Sequence, residues 1–173
     1  VIGAIVEVAP DYEMELGADI NTCTNAPFTI SPVITGGNAP FSYSWTASSG
    51  SFIDDEAAQG MYLNDVPGTY EVYLQVVDSF GCTQMDTVIA TVTEPPFVEA
   101  GLDRTICNAD PIVLTPSIAA PNTPLTYQWV DNGAGGGFSD ATVPNPTYSN
   151  TNSGIHTLSI TVTDANGCIG TDS

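Results

Sequence analysis

The sequence predicts an all-β protein built as two tandem antiparallel β-sandwiches. Three observations carry that prediction: the chain repeats itself, apolar residues alternate with period two inside each copy, and Gly- and Pro-containing clusters separate the alternating runs. Aligning Cys23 with Cys107 also brings Gly17, Asp19, Pro40, Tyr43 and Trp45 onto Gly101, Asp103, Pro124, Tyr127 and Trp129, all at one constant offset in numbering. A short insertion in the second copy then lengthens the offset, and Phe52, Gly68, Asp78 and Gly81-Cys82 meet Phe138, Gly154, Asp164 and Gly167-Cys168. The chain thus holds about two copies of one unit.

Along the chain, Ala4-Ile5-Val6-Glu7-Val8 matches Val88-Ile89-Ala90-Thr91-Val92 at the first offset. Residues 1–9 are therefore expected to be the closing strand of a preceding repeat. Repeat 1 follows at 10–94 and repeat 2 at 95–173, which stops where its own closing strand should begin. The simplest expectation is a piece of a longer array whose neighbouring repeats are its partners; the alternative is that the loose strand completes another copy by strand addition. Within a repeat, Phe41, Tyr43 and Trp45 share one strand face, and Leu125, Tyr127 and Trp129 repeat them. Tyr70, Val72, Leu74 and Val76 form the next inward set, answered by His156, Leu158, Ile160 and Val162. Turn clusters at Thr35-Gly36-Gly37-Asn38, Val66-Pro67-Gly68 and Ala165-Asn166-Gly167 separate the strands. No segment sustains a helical period, so about seven short strands per unit are expected.

The four cysteines fall two to a unit. Cys23 and Cys82 have nearly the same separation in sequence as Cys107 and Cys168. One disulfide per unit, Cys23–Cys82 and Cys107–Cys168, is expected, and it would place the protein in an oxidising, extracytoplasmic compartment. The competing reading, a four-thiolate metal site, lacks any C-x-x-C spacing.

Charge excludes other classes. Twenty Asp and Glu stand against one Lys or Arg, Arg104, for a net charge of −19. A chain with a single cation cannot neutralise a run of phosphates or bind an anionic membrane surface, so no nucleic-acid partner and no direct membrane insertion are expected. Since 42% of residues are hydrophobic, the acidity does not belong to a disordered tail. Without Lys, Lys–Asn isopeptide staples cannot form, and Asp, Glu, Pro and Thr must guard the sheet edges.

Catalytic groups are scarce. The single histidine, His156, takes the inward place of Tyr70, which reads as a core-edge residue with a backbone partner. No G-x-S-x-G elbow is present, and no enzyme is expected. Calcium is the one cofactor the acids suggest: Glu15 with Asp19 and Glu99 with Asp103 enter each unit at matched positions, and Asp78 and Asp164 precede the Cys hairpins. Asp78 and Asp164 equally suit Asx-turns, and Asp54-Asp55-Glu56 reads as a solvated loop tip.

The run Glu99-Ala100-Gly101-Leu102-Asp103-Arg104-Thr105-Ile106-Cys107, with Tyr127-Gln128-Trp129 and Val162-Thr163-Asp164-Ala165-Asn166-Gly167-Cys168, resembles the tandem PKD-like and immunoglobulin-like repeats of secreted Bacteroidota cell-surface proteins. That family includes the gliding-motility adhesin SprB. Pro67-Gly68-Thr69-Tyr70-Glu71-Val72 resembles the start of the penultimate PKD strand, whereas the W-D-F-G-D-G turn of strict PKD domains is replaced by Trp45-Thr46-Ala47-Ser48-Ser49-Gly50 and Trp129-Val130-Asp131-Asn132-Gly133. The resemblance implies Ig/PKD-like sandwiches acting as spacer or adhesive repeats of an extracellular, cell-surface adhesin or filament. The second functional reading is an accessory carbohydrate- or protein-binding module beside a secreted hydrolase. It would call for solvent-facing aromatics, of which Tyr73 and Tyr148 are the candidates and too few. Asp86-Thr87-Val88 resembles the short motif that Bacteroidota O-glycosylate, with Thr87 on the outward phase.

Overall fold

Alternation along the chain is realised as strands throughout. The computed structural model describes every residue except 1–2, 4–7, 9–10, 108–109 and 134. The strand expected over residues 1–9 therefore falls largely outside the described residues. The chain divides into two units, Val1–Thr93 and Glu94–Ser173, and no helix occurs among the described residues.

The first unit contains β1 (Tyr12–Glu15), β2 (Ile20–Cys23), β3 (Phe28–Ile30), β4 (Val33–Gly36), β5 (Ser42–Ala47), β6 (Ser51–Phe52), β7 (Gly60–Leu63), β8 (Gly68–Val77) and β9 (Thr83–Thr93). One sheet has the order β2-β9-β8-β5; a second has the order β3-β7-β6; β1 and β4 form a two-stranded ribbon. Among the described residues all pairings are antiparallel but one: β2 runs parallel to β9, with Ile20 opposite Ala90 and Cys23 opposite Thr93. The sequence reading expects only antiparallel pairs, and this exception decides where Cys23 lies.

The inward residues meet as the alternation requires. Val72, Leu74 and Val76 of β8 are fully buried with Val88, Ala90 and Val92 of β9, Trp45 of β5 and Tyr62 of β7. Burying each of these larger apolar side chains stabilises the fold by roughly 1.5–3 kcal/mol. The outward residues between them, such as Glu71 and Gln75, stay exposed.

The second unit contains β10 (Phe97–Glu99), β11 (Ile112–Val113), β12 (Ser117–Ala119), β13 (Thr126–Asp131), β14 (Gly137–Phe138), β15 (Thr147–Ser149), β16 (Leu158–Thr163) and β17 (Ile169–Asp172). Its sheets, β13-β16-β17, β11-β15-β14 and β10-β12, reproduce the first unit's pairings. Leu74 faces Asp86 across β8 and β9, and Ile160 faces Asp172 across β16 and β17. Two elements are shortened. β17 has four residues where β9 has eleven, and β16 has six where β8 has ten. The segment matching β2, around Arg104 to Cys107, is not a strand. The physical reason is shared: β2 and the first half of β8 both pair with the second half of β9, and at the longer offset the residues matching that half fall after Ser173.

Candidate functional site

Side chains that could carry chemistry are placed, unit by unit, in the same structural roles. In unit 1 the Asp78 Oδ1 accepts N–H bonds from Phe80 and Cys82, both at 2.9 Å. In unit 2 the Asp164 Oδ1 accepts from Asn166 and Cys168, again at 2.9 Å, and its Oδ2 accepts from the Asn122 side-chain amide at 3.0 Å. Both carboxylates are buried and close the hairpins β8–β9 and β16–β17 as Asx-turns. Gly81 and Gly167, at φ of 84° and 82°, supply the left-handed backbone those turns need.

A second constellation recurs under the tryptophans. Trp45 packs against Phe52 at 5.5 Å between ring centroids, and Phe52 against Tyr62 at 5.6 Å. Trp129, Phe138 and Tyr148 repeat the row at 6.2 and 5.2 Å. The Asn64 amide donates to the Tyr62 hydroxyl and the Asn150 amide to the Tyr148 hydroxyl, each at 2.9 Å. Tyr148 is thus a core residue and not the solvent-facing aromatic expected from sequence. Burial pushes the Tyr62 and Tyr148 phenols above their ordinary pKa; for Tyr148 the neighbouring Asp131 carboxylate adds to the rise while the Asn150 bond opposes it. The Tyr-x-Asn pairs sit at the same offset as Phe52 and Phe138, so extending the self-comparison through them finds this network.

His156 is a half-buried edge residue. Its Nε2 lies 2.9 Å from the Asn152 carbonyl, four residues back, as the Tyr70 hydroxyl lies 3.1 Å from the Val66 carbonyl.

The acids considered as calcium ligands are dispersed. Among the described residues no three of His, Cys, Asp and Glu gather as a metal-binding group. The Asp19 Oδ1 accepts the Ile89 N–H at 3.0 Å and ties β9 to the start of β2. Glu15 and Glu99 are outward residues of β1 and β10, and Asp103 is exposed. Two acids that the sequence reading does not single out for this role have matched jobs. The Asp86 Oδ2 accepts the Leu16 N–H at 2.8 Å, and the Asp172 Oδ2 accepts the Ala100 N–H at 2.7 Å. Thr87, the expected glycosylation position, is exposed on β9.

The cysteine pairings expected within each unit do not occur in this structure. Cys82 and Cys107 are free thiols, and Cys23 and Cys168 are disulfide-bonded. Strand direction is the reason. Cys82 precedes β9 and Cys23 lies beside its far end, so at ~3.3 Å per residue the length of β9 separates them by about 33 Å, far beyond the roughly 5–7 Å between Cα atoms that a disulfide spans. In unit 2, Cys168 closes the β16–β17 hairpin, whereas Cys107 follows residues that border the opposite end of β16.

That end of unit 2 holds a cleft of about 1050 Å³. Ala100 to Ile106 form one wall and Thr151 to Leu158 the other, with Ile112, Leu114, Trp129 and Tyr148 on its floor. In unit 1 the equivalent space is filled by Val88, Ala90 and Val92.

No family model matches the chain, and no curated protein does. Solved structures do resemble it. A C-terminal 282-residue fragment of intimin, in complex with the intimin-binding domain of the translocated intimin receptor, shares 13% identity at a TM-score of 0.50, covering 96% of this chain and 63% of that one. Fibronectin(III)-like modules of Clostridium thermocellum CbhA share 12% identity over 94% of this chain and 90% of theirs at a TM-score of 0.45. The solution structure of a PKD domain from the KIAA 1837 protein shares 17% identity over 60% of this chain and 100% of that one, at a TM-score of 0.41. The fold is an all-β, immunoglobulin-like arrangement of sandwiches.

Proposed function

We propose that the two units are spacer and adhesive repeats of a long extracellular protein, a surface adhesin or filament of the kind that the Bacteroidota gliding adhesins exemplify. One observation carries this reading. The side chains with chemical potential, Asp78 and Asp164, Tyr62 and Tyr148, Tyr70 and His156, are used in the same structural bonds in both copies. A unit whose polar residues serve its own turns and edges is suited to extending a chain, not to turnover. The acidic coat keeps such arrays apart by like-charge repulsion over about a Debye length, roughly 8 Å at physiological salt. Thr87 on the outer face of β9 is where such a protein would carry an O-glycan.

The reading is tested on cells that make the protein. An antibody against this chain should decorate intact cells, and brief external protease should remove the signal. Detection only after permeabilisation would contradict it. The turn-closing and strand-tying roles of Asp19, Asp78 and Asp164 also set an expectation for calcium: thermal melting should be the same in millimolar calcium and in EDTA. A calcium-dependent rise of several degrees would assign these carboxylates to a metal instead.

A further inference from the structure

We propose that Cys107 of one copy of this chain forms a disulfide with Cys82 of a second copy, so that copies join covalently head to tail. By repeat position the cysteines are of two kinds. Cys23, at the end of β2, matches Cys107, and Cys82 matches Cys168 in the hairpins β8–β9 and β16–β17. In unit 1 Cys23 is disulfide-bonded and Cys82 is free; in unit 2 Cys168 is bonded and Cys107 is free. The bonded thiols are thus one of each kind, and so are the two that remain. The bonded thiol of the first kind belongs to the earlier unit and that of the hairpin kind to the later one. Kept in that order, Cys107 takes the hairpin thiol of a unit that follows it, which unit 1 of a second copy supplies.

Each free thiol is presented by the same backbone as its bonded counterpart. The Ala26 N–H donates to the Cys23 carbonyl at 3.1 Å, and the Asp110 N–H donates to the Cys107 carbonyl at 3.0 Å. The Cys82 carbonyl accepts the Asp78 N–H at 3.0 Å and the Cys168 carbonyl accepts the Asp164 N–H at 3.0 Å, while both cysteine N–H groups donate back to those carboxylates at 2.9 Å. Exposure differs in the direction bonding gives. Cys168 is 0% exposed and Cys82 half-buried; Cys23 is half-buried and Cys107 exposed. Each free thiol is therefore set in the frame of one that bonds and is more open than it. A small disulfide such as oxidised glutathione serves as the oxidant. The Cys107 thiolate attacks one of its sulfurs and releases one glutathione thiolate; the Cys82 thiolate of the second copy then attacks the Cys107 sulfur and releases the other. One S–S bond breaks and one forms, and the protons lost by the two cysteines pass to the two glutathione thiols. Because Cys107 and Cys82 lie on different surfaces, the contact is heterologous and propagates.

The experiment uses the full chain, never reduced, in oxidised glutathione at about 0.15 M salt, where screening over roughly 8 Å moderates the repulsion between copies that each carry −19. Non-reducing electrophoresis should show a ladder of dimer, trimer and higher species that collapses to monomer with reductant. Mass spectrometry of the ladder should find a peptide joining Cys82 to Cys107. The Cys82→Ser and Cys107→Ser variants should each stay monomeric alone, and their mixture should stop at a dimer, since it holds one free thiol of each kind. The joined peptide of the unaltered chain decides the matter if either variant does not fold. Dimerisation of Cys82→Ser alone, which would join Cys107 to Cys107, would overturn the proposal. So would a Cys82–Cys107 bond confined to monomers, or chains that remain monomeric with both thiols free or capped by glutathione.

Discussion

Asp78 shows how a single side chain organises a unit. One carboxylate oxygen satisfies two N–H groups of the hairpin that starts β9, and the residue is buried. Asp78→Ala removes the acceptor and leaves both donors without it, which should cost about 1–3 kcal/mol in denaturant unfolding. The same change at Asp164 should cost at least as much, since that carboxylate makes the same two turn bonds and also accepts from the Asn122 amide. Tyr12, Tyr62 and Tyr148 give a pH signature. Each is raised above 10.0, chiefly by burial. The folded state therefore holds protons that the unfolded chain has released, so stability is intact below about pH 10 and falls as pH rises through the elevated values. Chemical denaturation across the alkaline range should show that decline, and Tyr62→Phe should lessen it. At this scale much is legible in the sequence: Trp45 and Trp129 point inward, and His156 occupies the place of Tyr70. Tyr148 is harder to read because the insertion precedes it, and only comparison with Tyr62 at the longer offset reveals its inward phase.

Strand direction is what the sequence does not convey. Period-two alternation places residues on a face but says nothing about whether neighbours run parallel or antiparallel. With every strand taken as antiparallel, Cys23 and Cys82 look like partners. The parallel pairing of β2 with β9 moves Cys23 to the far end of the sheet. The outcome is measurable by alkylation of the folded, non-reduced protein: Cys107 should react fastest and half-buried Cys82 more slowly, while Cys23 and Cys168 should react only after reduction. Rapid alkylation of Cys23 under those conditions would contradict the assignment. The turns, by contrast, are legible to within a residue or two, because Gly81 and Gly167 supply positive φ and Asp78 and Asp164 supply the caps.

For the molecule as a whole, the internal repeat is the strongest signal in the sequence, and it extends to individual hydrogen bonds at the same offsets. The described pairings differ at one place: in unit 1 the second half of β9 pairs with 68–71 and 20–23, while 154–157 and 104–107 lie outside strands. Hydrogen exchange read by peptide tests this most directly. Residues 72–77 and 158–163 should be protected alike in the two sheets, whereas 68–71 and 20–23 should exchange slowly and their counterparts 154–157 and 104–107 quickly. Equal protection of 68–71 and 154–157, or dissimilar protection of 72–77 and 158–163, would contradict an account in which one sandwich occurs twice, with 68–71 paired to β9 and 154–157 outside strands.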